Sequence, residues 1–141
     1  MELKNKIALV TGASGDIGSA ITRCLGRNGA TVILTYVGAA ETAADIAREI
    51  EEAGGSAWPT QLDQRHPQAI EKLMEEIENK YGRLDILINN AAWNIGIPFR
   101  NLDDLTAEIW DRVLETNLRA PFLLARAGAK LLQAQTGSHI V

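Results

Sequence analysis

The sequence predicts an α/β fold with a doubly wound parallel sheet. Short apolar or β-branched segments alternate with longer stretches of helical hydrophobic spacing, which is typical of parallel strands with helices on both faces. The first short segment leads directly into a glycine-rich turn and then into a helical pattern. Pro59 stands inside the third short segment, and proline is tolerated at a sheet edge but not in a central strand. Because the third strand is an edge strand in the order 3-2-1-4-5, these observations favour that order.

Four strands are predicted in full, and a fifth begins near the last residue. Each is short and suited to burial on both faces of a sheet. The predicted strands are Ile7 to Thr11, Thr31 to Tyr36, Ser56 to Asp63 and Leu84 to Asn89, with the fifth starting at His139. We therefore expect residues 1–141 to form one domain whose sheet is truncated at the fifth strand.

Helical patterns fill the intervals between the predicted strands. In the first pattern, Cys24 shares a helical stripe with Ile17, Ala20, Ile21 and Leu25. This stripe predicts a buried thiol for Cys24. The second pattern ends at Gly54-Gly55, and the third begins at Pro67 and ends just before Gly82.

A fourth helical pattern starts near Thr106, a predicted N-cap, and runs to about Gln135. Pro121 interrupts this pattern. Because proline has no N–H, it leaves the carbonyl four residues earlier without its helical partner, and that carbonyl belongs to Asn117.

Composition and charge exclude several classes of function. The chain has 46% hydrophobic and 23% charged residues, with no apolar run long enough for a membrane span and no signal-peptide pattern. This predicts a cytoplasmic protein that does not enter a membrane. A net charge of -4 with scattered Lys and Arg residues argues against nucleic acid as a partner. His66 and His139 lack metal-ligand spacing, so we expect no metal site.

The turn Thr11-Gly12-Ala13-Ser14-Gly15-Asp16-Ile17-Gly18 is a candidate phosphate site. Glycines let the backbone approach a ligand, while the start of a helix presents free N–H groups and the positive end of its dipole. A turn of this kind is by itself a weak signal, because many α/β proteins need one only as a connection. Its spacing fits neither G-x-G-x-x-G nor a P-loop, since no G-K-S/T follows.

Four motifs in order along the chain resemble the short-chain dehydrogenase/reductase family, which has a Rossmann fold. They are the turn from Thr11-Gly12 to Ile17-Gly18, Asp63 after the third strand, Asn89-Asn90-Ala91 after the fourth, and Asn117 on the next helix. The resemblance implies an oxidoreductase that transfers a hydride between NAD(P)(H) and a small-molecule carbonyl or secondary alcohol. It also implies a homodimer or homotetramer for the full-length protein.

The resemblance assigns a role to each motif. Gly12, Ser14, Asp16, Ile17 and Gly18 would hold or shape the site of the cofactor pyrophosphate. Asp63 would bind the adenine amino group, and Asn90 and Ala91 would line the cofactor site. Asn117 would be the catalytic asparagine, whose backbone carbonyl holds a water in a proton relay.

Two residues depart from the family pattern. Asp16 stands where the family usually has the middle glycine of the turn, and we expect its side chain to cap the following helix. Ala92 replaces the glycine of the family's NNAG motif and should slightly reshape the floor of the nicotinamide site.

The choice between NADP and NAD depends on the end of the second strand, at Tyr36 to Gly38. An acidic residue at this point would bind a free ribose 2′-hydroxyl and repel a 2′-phosphate. Its absence favours NADP slightly. NAD stays open, because residues 37–40 supply no Arg or Lys for the phosphate and Glu41 is close by.

Part of the family's catalytic set is absent from the sequence. Neither Tyr36 nor Tyr81 is followed four residues later by lysine, and no serine follows the start of the fifth strand. We therefore interpret the chain as the N-terminal portion of a dehydrogenase/reductase that is inactive by itself. A non-catalytic dinucleotide-binding or interaction module is the alternative.

Overall fold

The computed structural model, which describes residues 2–141, contains a five-stranded parallel sheet in the order β3-β2-β1-β4-β5. The strands are β1 (Ile7–Val10), β2 (Thr31–Tyr36), β3 (Ser56–Gln61), β4 (Ile86–Ile88) and β5 (His139–Ile140). The α-helices are α1 (Asp16–Arg27), α2 (Ala40–Glu52), α3 (Pro67–Tyr81), α4 (Ala107–Leu114) and α5 (Ala120–Gln133). The predicted fold class and strand order are confirmed. None of the helices described is long and apolar enough to cross a membrane.

Helices cover both faces of the sheet. On one face, α3 and α5 pack on side chains such as Leu9 and Leu87. On the other, α2 packs on Ala8, Val10 and Val32. Successive strand residues point to opposite faces, so β1 is buried on both sides. This explains why the strands are apolar runs rather than alternating patterns.

The predicted strands were correct in place, and β2 has its predicted bounds, but β1, β3 and β4 are shorter than predicted. β1 ends at Val10 because Thr11 already belongs to the turn, and β4 covers only Ile86–Ile88. β3 is an edge strand that pairs only with β2, and Pro59 lies opposite Leu34. Proline therefore removes no hydrogen bond that a second neighbouring strand would need.

The prediction of a buried Cys24 was wrong, because α1 turns a different face inward. Its buried residues are Gly18, Thr22 and Gly26, four residues apart, and Cys24 is exposed. A Cβ atom on Gly26 would lie 2.8 Å from Cγ2 of Ile50 on α2. Because α1 and α2 approach closely, the face of α1 that packs inward carries small residues and not the large apolar residues of the predicted stripe.

The fourth helical pattern is divided into α4, a π-turn at Glu115–Arg119, and α5. Thr106 is the N-cap of α4, as predicted, with its hydroxyl accepting from the Ile109 N–H at 3.4 Å. In the π-turn the N–H of Ala120 bonds to the carbonyl of Glu115, one residue farther back than in an α-helix.

Candidate dinucleotide-binding site

A cavity of about 620 Å³ opens beside the carboxyl ends of β1 to β4. This is where the strand order reverses, the usual place for a ligand in a doubly wound sheet. The cavity is lined by all the residues predicted to bind a cofactor: Gly12, Ser14, Asp16, Ile17, Gly18, Tyr36, Asp63, Asn90 and Ala91. The fold thus gathers residues from four separate strand ends around one volume. Their contact with a cofactor stays a prediction.

The glycine-rich turn leaves the start of α1 open towards the cavity. Gly15 is the N-cap, and the helix start has no side-chain capping hydrogen bond. The predicted capping role of Asp16 was therefore wrong. Gly15 has the extended backbone of a capping residue, with φ -78° and ψ 170°, whereas Asp16 is already the first helical residue. Helix N–H groups without a side-chain cap are suited to an anion such as a pyrophosphate.

Gly12 and Gly18 allow the glycine-rich turn to pack closely against its neighbours. Gly12 has a φ of +63°, in the left-handed region that disfavours side chains, and a Cβ there would lie 2.8 Å from the Cα of Ala91. A Cβ on Gly18 would lie 2.3 Å from the carbonyl oxygen of Gly12 and 2.7 Å from the Nδ2 of Asn90. The turn, the first helical residues and the segment after β4 therefore fit together only without these side chains.

Thr11 connects the turn to the segment after β4. Its buried hydroxyl accepts from the backbone N–H groups of Asn90 at 3.1 Å and Ala91 at 3.0 Å, and it donates to the carbonyl of Ile88. In return, the Nδ2 of Asn90 donates to the carbonyls of Thr11 at 2.9 Å and Gly12 at 3.1 Å. These bonds fix the segment after β4, which forms the floor of the cavity, to the glycine-rich turn.

Asp63 follows β3 on the cavity wall, and Arg65 holds its carboxylate. The Arg65 backbone N–H donates to Oδ1, and its Nη2 lies 2.6 Å from Oδ2. Hydrogen bonding from the Arg65 side chain is the main reason why the pKa of Asp63 falls to about 2, while burial acts in the opposite direction. Asp63 is therefore ionised throughout the neutral range.

We expect this pair to make part of the stability acid-sensitive. The folded-state pKa of about 2 lies below the ordinary value of 3.8. The stabilisation is therefore present above about pH 4 and is lost as the pH falls towards 2. In Arg65→Gln, we expect the pKa of Asp63 to rise towards its ordinary value, as followed by NMR titration of its carboxyl carbon.

Urea unfolding between about pH 2 and pH 5 should show a smaller acid-induced loss of stability in Arg65→Gln than in the parent protein. Arg48→Gln is the matched control, because Arg48 pairs with Asp45 on the exposed surface and touches neither residue. An unchanged Asp63 titration in Arg65→Gln would contradict the assignment of the low pKa to Arg65.

Asn117 lies in the π-turn and does not itself line the cavity. Its side chain binds the backbone of Trp93: Oδ1 accepts from the Trp93 N–H at 2.8 Å, and Nδ2 donates to the Trp93 carbonyl at 2.9 Å. The guanidinium of Arg112 stacks on the Trp93 ring, 4.0 Å from its centroid. The segment after β4 is thus attached to the helices beside it. The catalytic role of Asn117 stays a prediction.

Gln64 is a site residue that the sequence analysis missed. It is 5% exposed, and its Nε2 donates to the carbonyls of Thr116 at 2.9 Å and Ala91 at 3.2 Å. These partners lie 52 and 27 residues away in sequence, so no local pattern connects them. A glutamine between Asp63 and Arg65 looks like an ordinary polar loop residue until the fold is known.

Within residues 2–141, no cluster of His, Cys, Asp or Glu side chains is arranged to hold a metal ion. The cavity is bounded by the uncapped N-terminus of α1, the polar backbone of the segment after β4 and an acidic residue held by arginine.

Comparison with known proteins gives a consistent picture. The family model described as short chain dehydrogenase matches residues 6–141. A versicolorin reductase of Emericella nidulans is 37% identical over 93% of this chain and 48% of the relative. A trihydroxynaphthalene reductase of Colletotrichum orbiculare is also 37% identical, over 93% of this chain and 45% of the relative. The chain thus spans about half the length of these curated relatives.

Solved structures resemble the chain along almost its whole length. A metagenomic short-chain oxidoreductase in complex with NADP superposes with a TM-score of 0.91 at 39% identity, covering 99% of this chain and 62% of that protein. A short chain dehydrogenase from Burkholderia cenocepacia J2315 in complex with NADP gives a TM-score of 0.91 at 36% identity, covering 99% and 55% respectively.

Proposed function

Because the chain belongs to the short-chain dehydrogenase family, we propose that it is the dinucleotide-binding portion of an NAD(P)(H)-dependent oxidoreductase acting on a carbonyl or secondary alcohol. The observation that carries this proposal is the open N-terminus of α1. The helix has no side-chain cap, and the lack of side chains at Gly12 and Gly18 lets the turn pack closely against the segment after β4. This geometry is suited to the pyrophosphate of a dinucleotide.

In this proposal, different residues of the cavity contact different parts of the dinucleotide. Residues 12–18 bind the pyrophosphate, Tyr36 lies at the adenosine ribose, and Asp63 accepts from the adenine amino group. Asn90 and Ala91 form the floor beneath the cofactor. When bound, the nicotinamide supplies or accepts the hydride. Asn117 serves as the catalytic asparagine, holding a water through its backbone carbonyl.

NADP is the cofactor that we favour over NAD. No carboxylate stands at the end of β2, where Tyr36, Val37 and Gly38 line the cavity, so a 2′-phosphate meets no repulsion there. Two of the solved structures to which the chain is similar contain NADP. The nearest acidic residue along the chain, Glu41, lies in the first turn of α2.

The full-length protein is proposed to be a cytoplasmic homodimer or homotetramer. The support for self-association is an exposed apolar strip formed by Leu114, Leu118 and Phe122, which crosses the π-turn from α4 to α5. Burial of such a strip between subunits would remove apolar side chains from water.

Titration of the intact protein with NADPH and NADH, followed by cofactor fluorescence, tests the function. We expect binding of NADPH with a dissociation constant in the micromolar range and binding of NADH at least about tenfold weaker. Tighter binding of NADH would reverse the cofactor preference. If neither nucleotide binds, the oxidoreductase proposal is wrong, and a role as an interaction module becomes the alternative.

A further inference from the structure

We infer that Gln64 is a positioning residue that holds the π-turn carrying Asn117 against the floor of the cofactor site. The inference rests on the proposed function, since the site it supports is the proposed dinucleotide site. Gln64 is 5% exposed, and its amide touches neither of its charged neighbours, Asp63 and Arg65. Its two hydrogen bonds go to backbone carbonyls on two other elements.

The carbonyl of Thr116 needs a donor from outside its own helix. In an α-helix it would accept from the N–H of Ala120, but this N–H bonds to Glu115 instead. In a continued π-helix it would accept from residue 121, which is proline and has no N–H. Both backbone registers therefore leave this buried carbonyl without a partner. The Nε2 of Gln64 supplies the missing bond at 2.9 Å.

The same Nε2 also reaches the floor of the cavity. It donates to the carbonyl of Ala91 at 3.2 Å, while the N–H of Ala91 is held by the hydroxyl of Thr11. One amide group therefore connects the loop after β3, the floor after β4 and the π-turn. The remaining oxygen of that amide, Oε1, has no hydrogen-bond partner in the described chain. The hydrogen bonds of the Gln64 side chain are therefore made by its N–H donor group and not by its oxygen.

The Asn117 side chain provides a second attachment one residue further along. Its two hydrogen bonds to the backbone of Trp93 fix the turn to the segment that follows the floor. Proline at 121 also removes the α-helical donor to the Asn117 carbonyl. The direction of the Asn117 carbonyl is therefore set by the contacts that fix the π-turn. Gln64 fixes the π-turn through its hydrogen bond to the carbonyl of the preceding residue, Thr116.

Gln64→Glu tests this assignment, because it keeps the shape and replaces the donor by an acceptor. At pH 8 the introduced carboxylate faces two carbonyl oxygens and repels both. We expect the dissociation constant for NADPH to rise at least about tenfold, and amide hydrogen exchange in residues 115–122 to accelerate by a similar factor relative to the parent protein.

Measuring the Gln64→Glu variant at lower pH distinguishes a positioning role of the Gln64 hydrogen bonds from a role in packing alone. Burial beside two carbonyls raises the pKa of the introduced carboxyl, so at about pH 6 it is partly protonated and donates one bond again. We expect both defects of Gln64→Glu to shrink at this pH when each is compared with the parent protein. Gln64→Met, which has no donor at any pH, should show milder defects that do not recover.

Gln68→Glu is the control for the charge change, since Gln68 is exposed on α3 and makes no contact with the cavity. It should match the parent protein at both pH values. Parent-like NADPH binding and exchange in both Gln64 variants would overturn the inference and leave the proposed function intact. Failure of the parent protein to bind NADPH would overturn the proposed function, while the exchange measurements would still decide whether Gln64 holds the turn.

Discussion

Replacing Gly18 by alanine is expected to weaken NADPH binding strongly and to destabilise the fold. The added Cβ would lie 2.3 Å from the carbonyl oxygen of Gly12, 2.7 Å from the Nδ2 of Asn90 and 2.9 Å from the Cα of Ala13. Two of these neighbours are backbone atoms, so the turn itself must shift. The displacement moves the start of α1 away from the cavity floor.

We expect Gly18→Ala to lower the free energy of unfolding by roughly 3 kcal/mol, the upper part of the range for overpacking. Its dissociation constant for NADPH should rise by about 100-fold or more, because the N–H groups that we propose to bind the phosphates move with the turn. Urea unfolding and cofactor fluorescence measure the two effects.

Gly128→Ala is the matched control for the glycine-to-alanine change in a helix. A Cβ at Gly128 would meet only the side chains of Met74 and Leu132, at 3.4 Å or more, and the site is remote from the cavity. It should keep parent-like NADPH binding, with a stability change within about 1 kcal/mol. Parent-like NADPH affinity in Gly18→Ala would show that the tight contact is not part of the binding site.

The features predictable from sequence were those that local chemistry determines. Pro59 indicated an edge strand because proline lacks a donor, and the edge position of β3 confirms it. The glycine-rich turn indicated an anion site because of its position between a strand and a helix, and this site stays a prediction. Thr106 was identified as an N-cap because its residue type and position are specific to that role.

Features that depend on distant contacts were not predictable in this way. Cys24 was assigned to the core from its apolar stripe, but the approach of α1 to Ile50 selected the small-residue face instead. The Asp16 prediction failed for a local reason, since the capping backbone belongs to Gly15, one residue earlier. Gln64 gave no signal, because the carbonyls it serves become neighbours only after the sheet forms.

Replacing Thr11 by valine is expected to have a large effect on stability, because this hydroxyl serves three backbone groups at once. It accepts from the N–H groups of Asn90 and Ala91 and donates to the carbonyl of Ile88. Valine has nearly the same shape, so packing is preserved while both N–H groups lose their acceptor. An unpaired polar group costs about 1–3 kcal/mol when it is buried, and these two N–H groups are partly buried, so we expect Thr11→Val to lose roughly 2 kcal/mol of unfolding free energy.

Thr22 provides a control with the same substitution and the same burial. Both threonines are 0% exposed, but the hydroxyl of Thr22 has no hydrogen-bond partner in the described chain. Thr22→Val removes an unpaired polar atom and should leave stability unchanged or raise it. Thr11→Ser, which keeps the hydroxyl and loses one methyl group, should cost only about 1 kcal/mol.

If urea unfolding shows equal losses for the two valine variants, the stabilisation comes from packing and not from the hydrogen bonds of Thr11. A large loss confined to Thr11→Val, accompanied by weaker NADPH binding, would mean that this one hydroxyl holds the cavity floor in place.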